Sequence, residues 1–176
     1  ERPPIFTVRE GRIIPTEDKL VKDILDPDTT EKEELEHLLT MFFPDARTKR
    51  YIEIRMMDAV PYPLNISAVA LIKGIFYNEK NLDVVYDFIK DISYEETQKV
   101  KNDILISGVN TLIKDKTILE VGRWLVELSK SSLGEEKKYL MPLEDMLNKG
   151  LNPYLITKEA VVKEGVIQGL SWAMLK

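Results

Sequence analysis

The spacing of apolar positions divides this chain into a strand-containing stretch up to about residue 60 and a helical stretch beyond it. Ile5 to Ile14 reads as two short extended runs around Glu10-Gly11, where Gly11 can take the positive φ of a tight hairpin turn. A short helix is predicted after Thr16 as N-cap, with Glu17 and Asp18 in its first turn and Leu20, Ile24 and Leu25 on its apolar side; Pro27 ends it. A capping box of Thr30 with Glu33 predicts a second helix through Leu35, Leu38, Leu39 and Phe42 to Pro44. Arg47 to Met56 then alternates strictly at period two and predicts one continuous strand. Arg47, Lys49, Tyr51, Glu53 and Arg55 share one face; Arg50, Ile52, Ile54 and Met56 share the other. Pro61 and Pro63 predict a rigid, extended corner after it.

From there the period is helical. Asn65 to Tyr77 is apolar on nearly every side except Lys73, the pattern of a helix buried all round. Further helices are predicted over 80–91, 93–105, 117–132, 142–149 and 157–175, separated by Gly108, Ser131-Ser132-Leu133-Gly134 and Gly150. Gly165 and Gly169, four apart in the last of these, permit close helix packing. A few strands followed by a helical layer define an α+β fold.

Composition narrows the function. At 176 residues the chain fits a single domain able to bury a core, and its 44% hydrophobic share excludes global disorder. The absence of cysteine excludes disulfides, thiolate metal sites and thiol catalysis within this stretch and fits a reducing compartment; a cytoplasmic location is expected. A net charge of −5 argues against a nucleic-acid partner, which needs surplus positive charge. No run of 18 apolar residues predicts a membrane span, and ERPPIFTVREGR has no apolar core of a secretory signal. The chain opens on Glu1, so a processed protein or a piece of a longer one is expected.

The 47–56 segment carries the candidate chemistry. Its polar face has two readings: a solvated sheet surface, or the lining of a cleft. In the second, Glu53 is a hard oxygen ligand suited to Mg²⁺, and Arg55, two residues on, can grip a phosphate or carboxylate. Such a pair suits phosphoryl transfer, where fixed charges neutralise the transferring group. Elsewhere the signals are structural. His37 is the only histidine and lies among leucines, which gives it a supporting role. Glu79, Asp83, Asp87 and Asp91 step along one helix as a solvated face, and Arg123 beside Trp124 reads as a cation–π or an interior pair.

Arg50-Tyr51-Ile52-Glu53-Ile54-Arg55, then Asp58 and Pro61, resembles the active-site strand of the glutamate–cysteine ligases, and more distantly that of the glutamine synthetase superfamily. His37-Leu38-Leu39-Thr40-Met41-Phe42-Phe43-Pro44-Asp45-Ala46-Arg47 is similar to the stretch leading into that strand in the plant and proteobacterial branch. Phe6 to Arg12, Lys73 to Tyr77 and Tyr139 to Glu144 resemble further family segments, in order. Ala59-Val60-Pro61-Tyr62, Met56 and Met57 depart from the pattern.

The resemblance implies the C-terminal part of a glutamine synthetase-like catalytic fold, residues 1–60 holding the active-site part and 61–176 the helical part. It implies ATP-dependent ligation of the γ-carboxylate of glutamate to cysteine through an acyl phosphate, the first step of glutathione biosynthesis. Glu53 is then the Mg²⁺ ligand and Arg55 the catalytic residue. Arg47, Lys49, Arg50 and Tyr51 are phosphate or substrate contacts. ATP and Mg²⁺ are the implied cofactors, and an N-terminal part of the same polypeptide supplies the remaining ligands, so the isolated chain is expected to be inactive. A related carboxylate–amine ligase with another amine, or a non-catalytic helical interaction domain, are the alternative readings.

Overall fold

The structure is a computed structural model that describes residues 6–42, 44–48 and 50–174. It is α+β, and the chain forms two compact units, Glu1–Met57 and Asp58–Lys176.

In the first unit β1 (Phe6–Arg9) and β2 (Arg12–Pro15) pair antiparallel, with Val8 opposite Ile13. Both central turn residues, Glu10 and Gly11, have positive φ (49° and 73°), the twist a two-residue hairpin demands, so the predicted hairpin forms. The next helix starts later than its sequence suggests. Glu17 takes a φ of 51° and the Lys19 amide bonds to the Thr16 carbonyl at 3.1 Å, so residues 16–19 are a turn. Helix α1 is therefore only Val21–Ile24. The predicted Thr30–Glu33 capping box is also absent, because the Thr30 hydroxyl accepts instead from the Asp26 amide at 2.8 Å. Helix α2 (Lys32–Thr40) begins behind Glu31 and buries Leu38. The Thr7 hydroxyl donates to Glu34 Oε1 at 2.8 Å, tying β1 to α2. Strands β3 (Ala46–Thr48) and β4 (Ile52–Ile54) complete this unit.

The second unit is mainly helical: α3 (Leu64–Phe76), α4 (Glu79–Ile89), α5 (Tyr94–Ser107), α6 (Ile118–Ser132), α7 (Met141–Asn148), α8 (Pro153–Glu164) and α9 (Val166–Gly169). A two-residue ribbon, β5 (Leu112–Ile113) with β6 (Lys116–Thr117), leads into α6. Side-chain caps fix four starts. Asn78 and Asn152 accept amides at α4 and α8, and capping boxes Ser93–Glu96 and Thr117–Glu120 open α5 and α6. In both boxes the glutamate is held below its ordinary pKa, first by the backbone amide of the capping residue and then by its hydroxyl.

The core lies where α3 crosses α6, around Ala70, Val126 and Leu140, with Leu71, Leu133, Leu143 and Leu147 packed against them. The crossing is close because Gly74 faces Ser129: a Cβ on Gly74 would stand 2.8 Å from the Ser129 Cα. Polar side chains satisfy the carbonyls there. Ser129 donates to Ala70 O at 3.2 Å, and the Asn81 amide donates to the Gly74 and Leu128 carbonyls, both at 2.8 Å. Helix α3 is not buried all round as its composition suggests. Ser67, Ala70, Gly74 and Ile75 face inward, whereas Val69 and Phe76 are exposed.

The expected helix over 157–175 is broken. Gly165, at φ 83°, ends α8, and Gly169 then returns close enough that a Cβ would meet the Val161 backbone at 2.5 Å. Arg123 donates to the Leu147 and Asn148 carbonyls, capping the end of α7, while Trp124 packs on Phe88 with ring centroids 5.1 Å apart. The acidic series Glu79, Asp83, Asp87 and Asp91 is exposed, as predicted. Among the described residues no helix is long and apolar enough to cross a membrane.

Candidate active site

The segment predicted as one strand is a hairpin. β3 and β4 pair antiparallel in the register Ala46–Ile54, Arg47–Glu53 and Thr48–Ile52, and the Arg55 amide bonds to the Asp45 carbonyl at 2.9 Å beyond them. Alternation hides the turn for a simple reason. In this register odd-numbered residues face odd-numbered ones, and directly opposed residues share a face. Arg47, Glu53 and Arg55 therefore keep the common face that a single strand would have given them, but arrive from two strands.

Residues 49–51 connect the arms. Arg50 and Tyr51 lie in a bend between the strands and are exposed, Tyr51 by 62%. Lys49 lies outside the described residues.

The Glu53 carboxylate stands between two guanidinium groups. Arg47 Nε donates to Oε2 at 3.1 Å, and Arg55 Nη1 lies 3.8 Å from Oε1. The three side chains are partly sheltered, at 14% exposure for Arg47, 20% for Arg55 and 32% for Glu53. Arg47 also reaches out of the hairpin: its Nη1 donates to the Leu39 carbonyl at 3.3 Å. Leu39 is in the last turn of α2, where carbonyls have no partner within the helix and carry its negative dipole end. Sequence reading missed this contact because the acceptor is backbone. The only signal was the predicted helix end just before the hairpin.

The two guanidinium groups, in a sheltered setting, are of the kind that grip a phosphate or carboxylate. Among the described residues no group of three or more His, Asp or Glu is gathered to hold a metal. Glu53 fits a narrower role. Mg²⁺ commonly binds through one or two carboxylates, with waters and substrate phosphates completing its shell.

His37 has no such placement. Its ring packs against Phe6 at 5.2 Å between centroids, and its buried Nε2 has no hydrogen-bond partner among the described residues. It also lines a groove of about 840 Å³ with Val8, Glu10, Glu31, Glu33 and Glu34, none of which belongs to β3 or β4.

A sheltered arginine–carboxylate cluster on an α+β chain is the kind of site that receives anionic groups. The family comparison makes the assignment specific: the model of glutamate-cysteine ligase family 2 matches residues 3–169, and the chain belongs to that family. It is 30% identical over 122 residues to the chloroplastic glutamate–cysteine ligase of Medicago truncatula, covering 67% of this chain and 24% of that protein. To the chloroplastic enzyme of Nicotiana tabacum it is 31% identical over 122 residues, 67% of this chain and 23% of the relative. For that of Arabidopsis thaliana the figures are 26% over 122 residues, 67% and 23%. The chain thus spans about a quarter of the length of the curated relatives it matches. The expectation of a cytoplasmic location is overturned, because these relatives are chloroplastic. Lack of cysteine reports at most on redox conditions and names no compartment.

Proposed function

We propose that this chain is the C-terminal part of an ATP-dependent glutamate–cysteine ligase, with the face of Arg47, Glu53 and Arg55 as its share of the active site. The observation that supports it most is Glu53 lying between Arg47 and Arg55 in a chain of this family. In the reaction, a γ-carboxylate oxygen of glutamate attacks the terminal phosphorus of ATP and ADP leaves. The cysteine amine then attacks the acyl carbon, and phosphate departs as the amide bond forms.

Arg55 binds the phosphate being transferred or the carboxylate that receives it, through a guanidinium that stays charged throughout. Glu53 provides one carboxylate arm for Mg²⁺, which when bound neutralises the phosphate oxygens. Arg50 and Tyr51 contact phosphate or substrate from the connection between the strands, and Lys49 is a further contact of that kind. The remaining metal ligands and nucleotide contacts come from an N-terminal part of the same polypeptide, so the isolated chain has little or no ligase activity.

The test is replacement of Glu53 by Gln and of Arg55 by Lys in the complete polypeptide, with γ-glutamylcysteine and ADP both measured. Each should lower turnover by at least about a hundredfold, the scale of removing one fixed transition-state contact. Turnover unchanged in both variants would refute the catalytic reading. Trials with other amines in place of cysteine decide the second substrate.

A further inference from the structure

We propose that Arg47 is a positioning residue that sets the Glu53 carboxylate for the metal, and not a phosphate contact. This rests on the metal-ligand reading of Glu53 given above. The guanidinium is a planar fork with donors fixed in direction, and here two of those donors are engaged. Nε meets Glu53 Oε2 at 3.1 Å, and Nη1 meets the Leu39 carbonyl at 3.3 Å. Its side chain is the most sheltered of the three, at 14% exposure against 20% for Arg55. Arg55 approaches the opposite oxygen, Oε1, from 3.8 Å, beyond hydrogen-bond distance. The two arginines are therefore not equivalent. Arg47 is built into the frame, bound to the Glu53 carboxylate and to the end of α2 at once.

Leu39 makes the brace useful. A β3–β4 hairpin of three-residue strands has few backbone bonds of its own. Arg47 ties its face to the last turn of α2, where the helix dipole favours a cation. The Glu53 side chain is thereby held against a longer, stiffer element. Partners of this kind around a metal ligand typically change metal affinity roughly ten- to a hundredfold when removed. Lysine cannot substitute, since one ammonium on a flexible stem does not reproduce two fixed donor directions.

The experiment uses the complete polypeptide with Mn²⁺ and a non-hydrolysable ATP analogue, so that no turnover is involved, and reads bound Mn²⁺ by electron paramagnetic resonance. Arg47→Met and Arg47→Lys should each weaken Mn²⁺ retention roughly ten- to a hundredfold. Affinity for the analogue at saturating Mn²⁺ should stay unchanged. Circular dichroism checks folding, and if Arg47→Met does not fold, Arg47→Lys decides. Unchanged Mn²⁺ retention, or a loss that falls on analogue affinity at saturating metal, would overturn the proposal and make Arg47 a phosphate contact. Glu53→Gln separates the two levels. If it keeps wild-type Mn²⁺ binding, the metal reading falls and this proposal with it; if it loses the metal while both Arg47 variants keep it, only the positioning role falls.

Discussion

Replacing Gly74 by Ala tests the α3–α6 crossing on which the second unit is built. The added methyl would stand 2.0 Å from Ser129 Oγ, 2.6 Å from the Ser129 carbonyl oxygen and 2.8 Å from its Cα. The hydroxyl can turn away, at the expense of its 3.2 Å bond to Ala70 O, but the backbone atoms cannot. Parting the helices also stretches the bonds that Asn81 and Ser132 donate to the Gly74 carbonyl, at 2.8 Å and 2.6 Å.

Overpacking of a tight core costs about 1–3 kcal/mol, and a weakened internal hydrogen bond about 1 kcal/mol. Against this, alanine gains about 0.8–1 kcal/mol over glycine inside a helix. The balance is a loss of about 2 kcal/mol, or roughly 4–8 °C in thermal midpoint for a chain of this size. Urea denaturation followed by far-UV circular dichroism measures it. The control is Gly122→Ala, in α6, where a Cβ would meet only Leu147 methyls at 3.4 and 3.5 Å. That variant should be neutral or more stable by up to about 1 kcal/mol. Equal or greater stability of Gly74→Ala, or an equal loss in both, would refute the close-crossing argument.

Three further outcomes concern the same unit. Asn81→Leu removes both amide bonds to Gly74 O and Leu128 O and should cost about 1–3 kcal/mol by urea denaturation, toward the lower end because Ser132 and Ser131 also donate to those carbonyls. Thr117→Ala should cost about 1 kcal/mol through loss of the α6 cap. It should also move the NMR titration of Glu120 up toward the ordinary glutamate range, since the hydroxyl is one of the donors holding it down. Glu96, Glu120 and Glu136 all titrate below that range, Glu136 chiefly through its bond from Lys73. Depressed carboxylates stabilise the fold above the unfolded glutamate pKa, so stability should be level near neutrality. It should fall as pH drops from the ordinary glutamate range through the lower folded values.

Much of the helical layer was legible because its caps are side chains. Ser93 with Glu96 and Thr117 with Glu120 open helices close to the starts expected at 93 and 117, whereas α8 begins at Pro153 behind the Asn152 cap, ahead of the expected 157. The Thr30–Glu33 pair carries the same signature and fails, since a nearby backbone amide at Asp26 competes for the hydroxyl. The break at Gly165 was hidden because apolar spacing continues past it and only the positive φ ends the helix. The candidate site was legible in its residues and not in its geometry. Period-two alternation reads the same whether Arg47 and Glu53 lie along one strand or across two, and a carbonyl such as that of Leu39 has no side-chain letter to betray it.

The hairpin register imposes a constraint that no single substitution would reveal. Arg47 opposes Glu53 only because Thr48 and Ile52 are joined by three residues. Lengthening or shortening that connection by one residue, with β3 left in place, would slip β4 by one position and turn Ile52 and Ile54 to the side where Glu53 now lies. The carboxylate would leave both arginines at once while every functional side chain remained in the chain. Length of the 49–51 segment is therefore as much a specification of this site as the identity of Glu53. Among natural or designed variants of this chain, one-residue insertions and deletions there should be rarer than replacements of the three residues themselves.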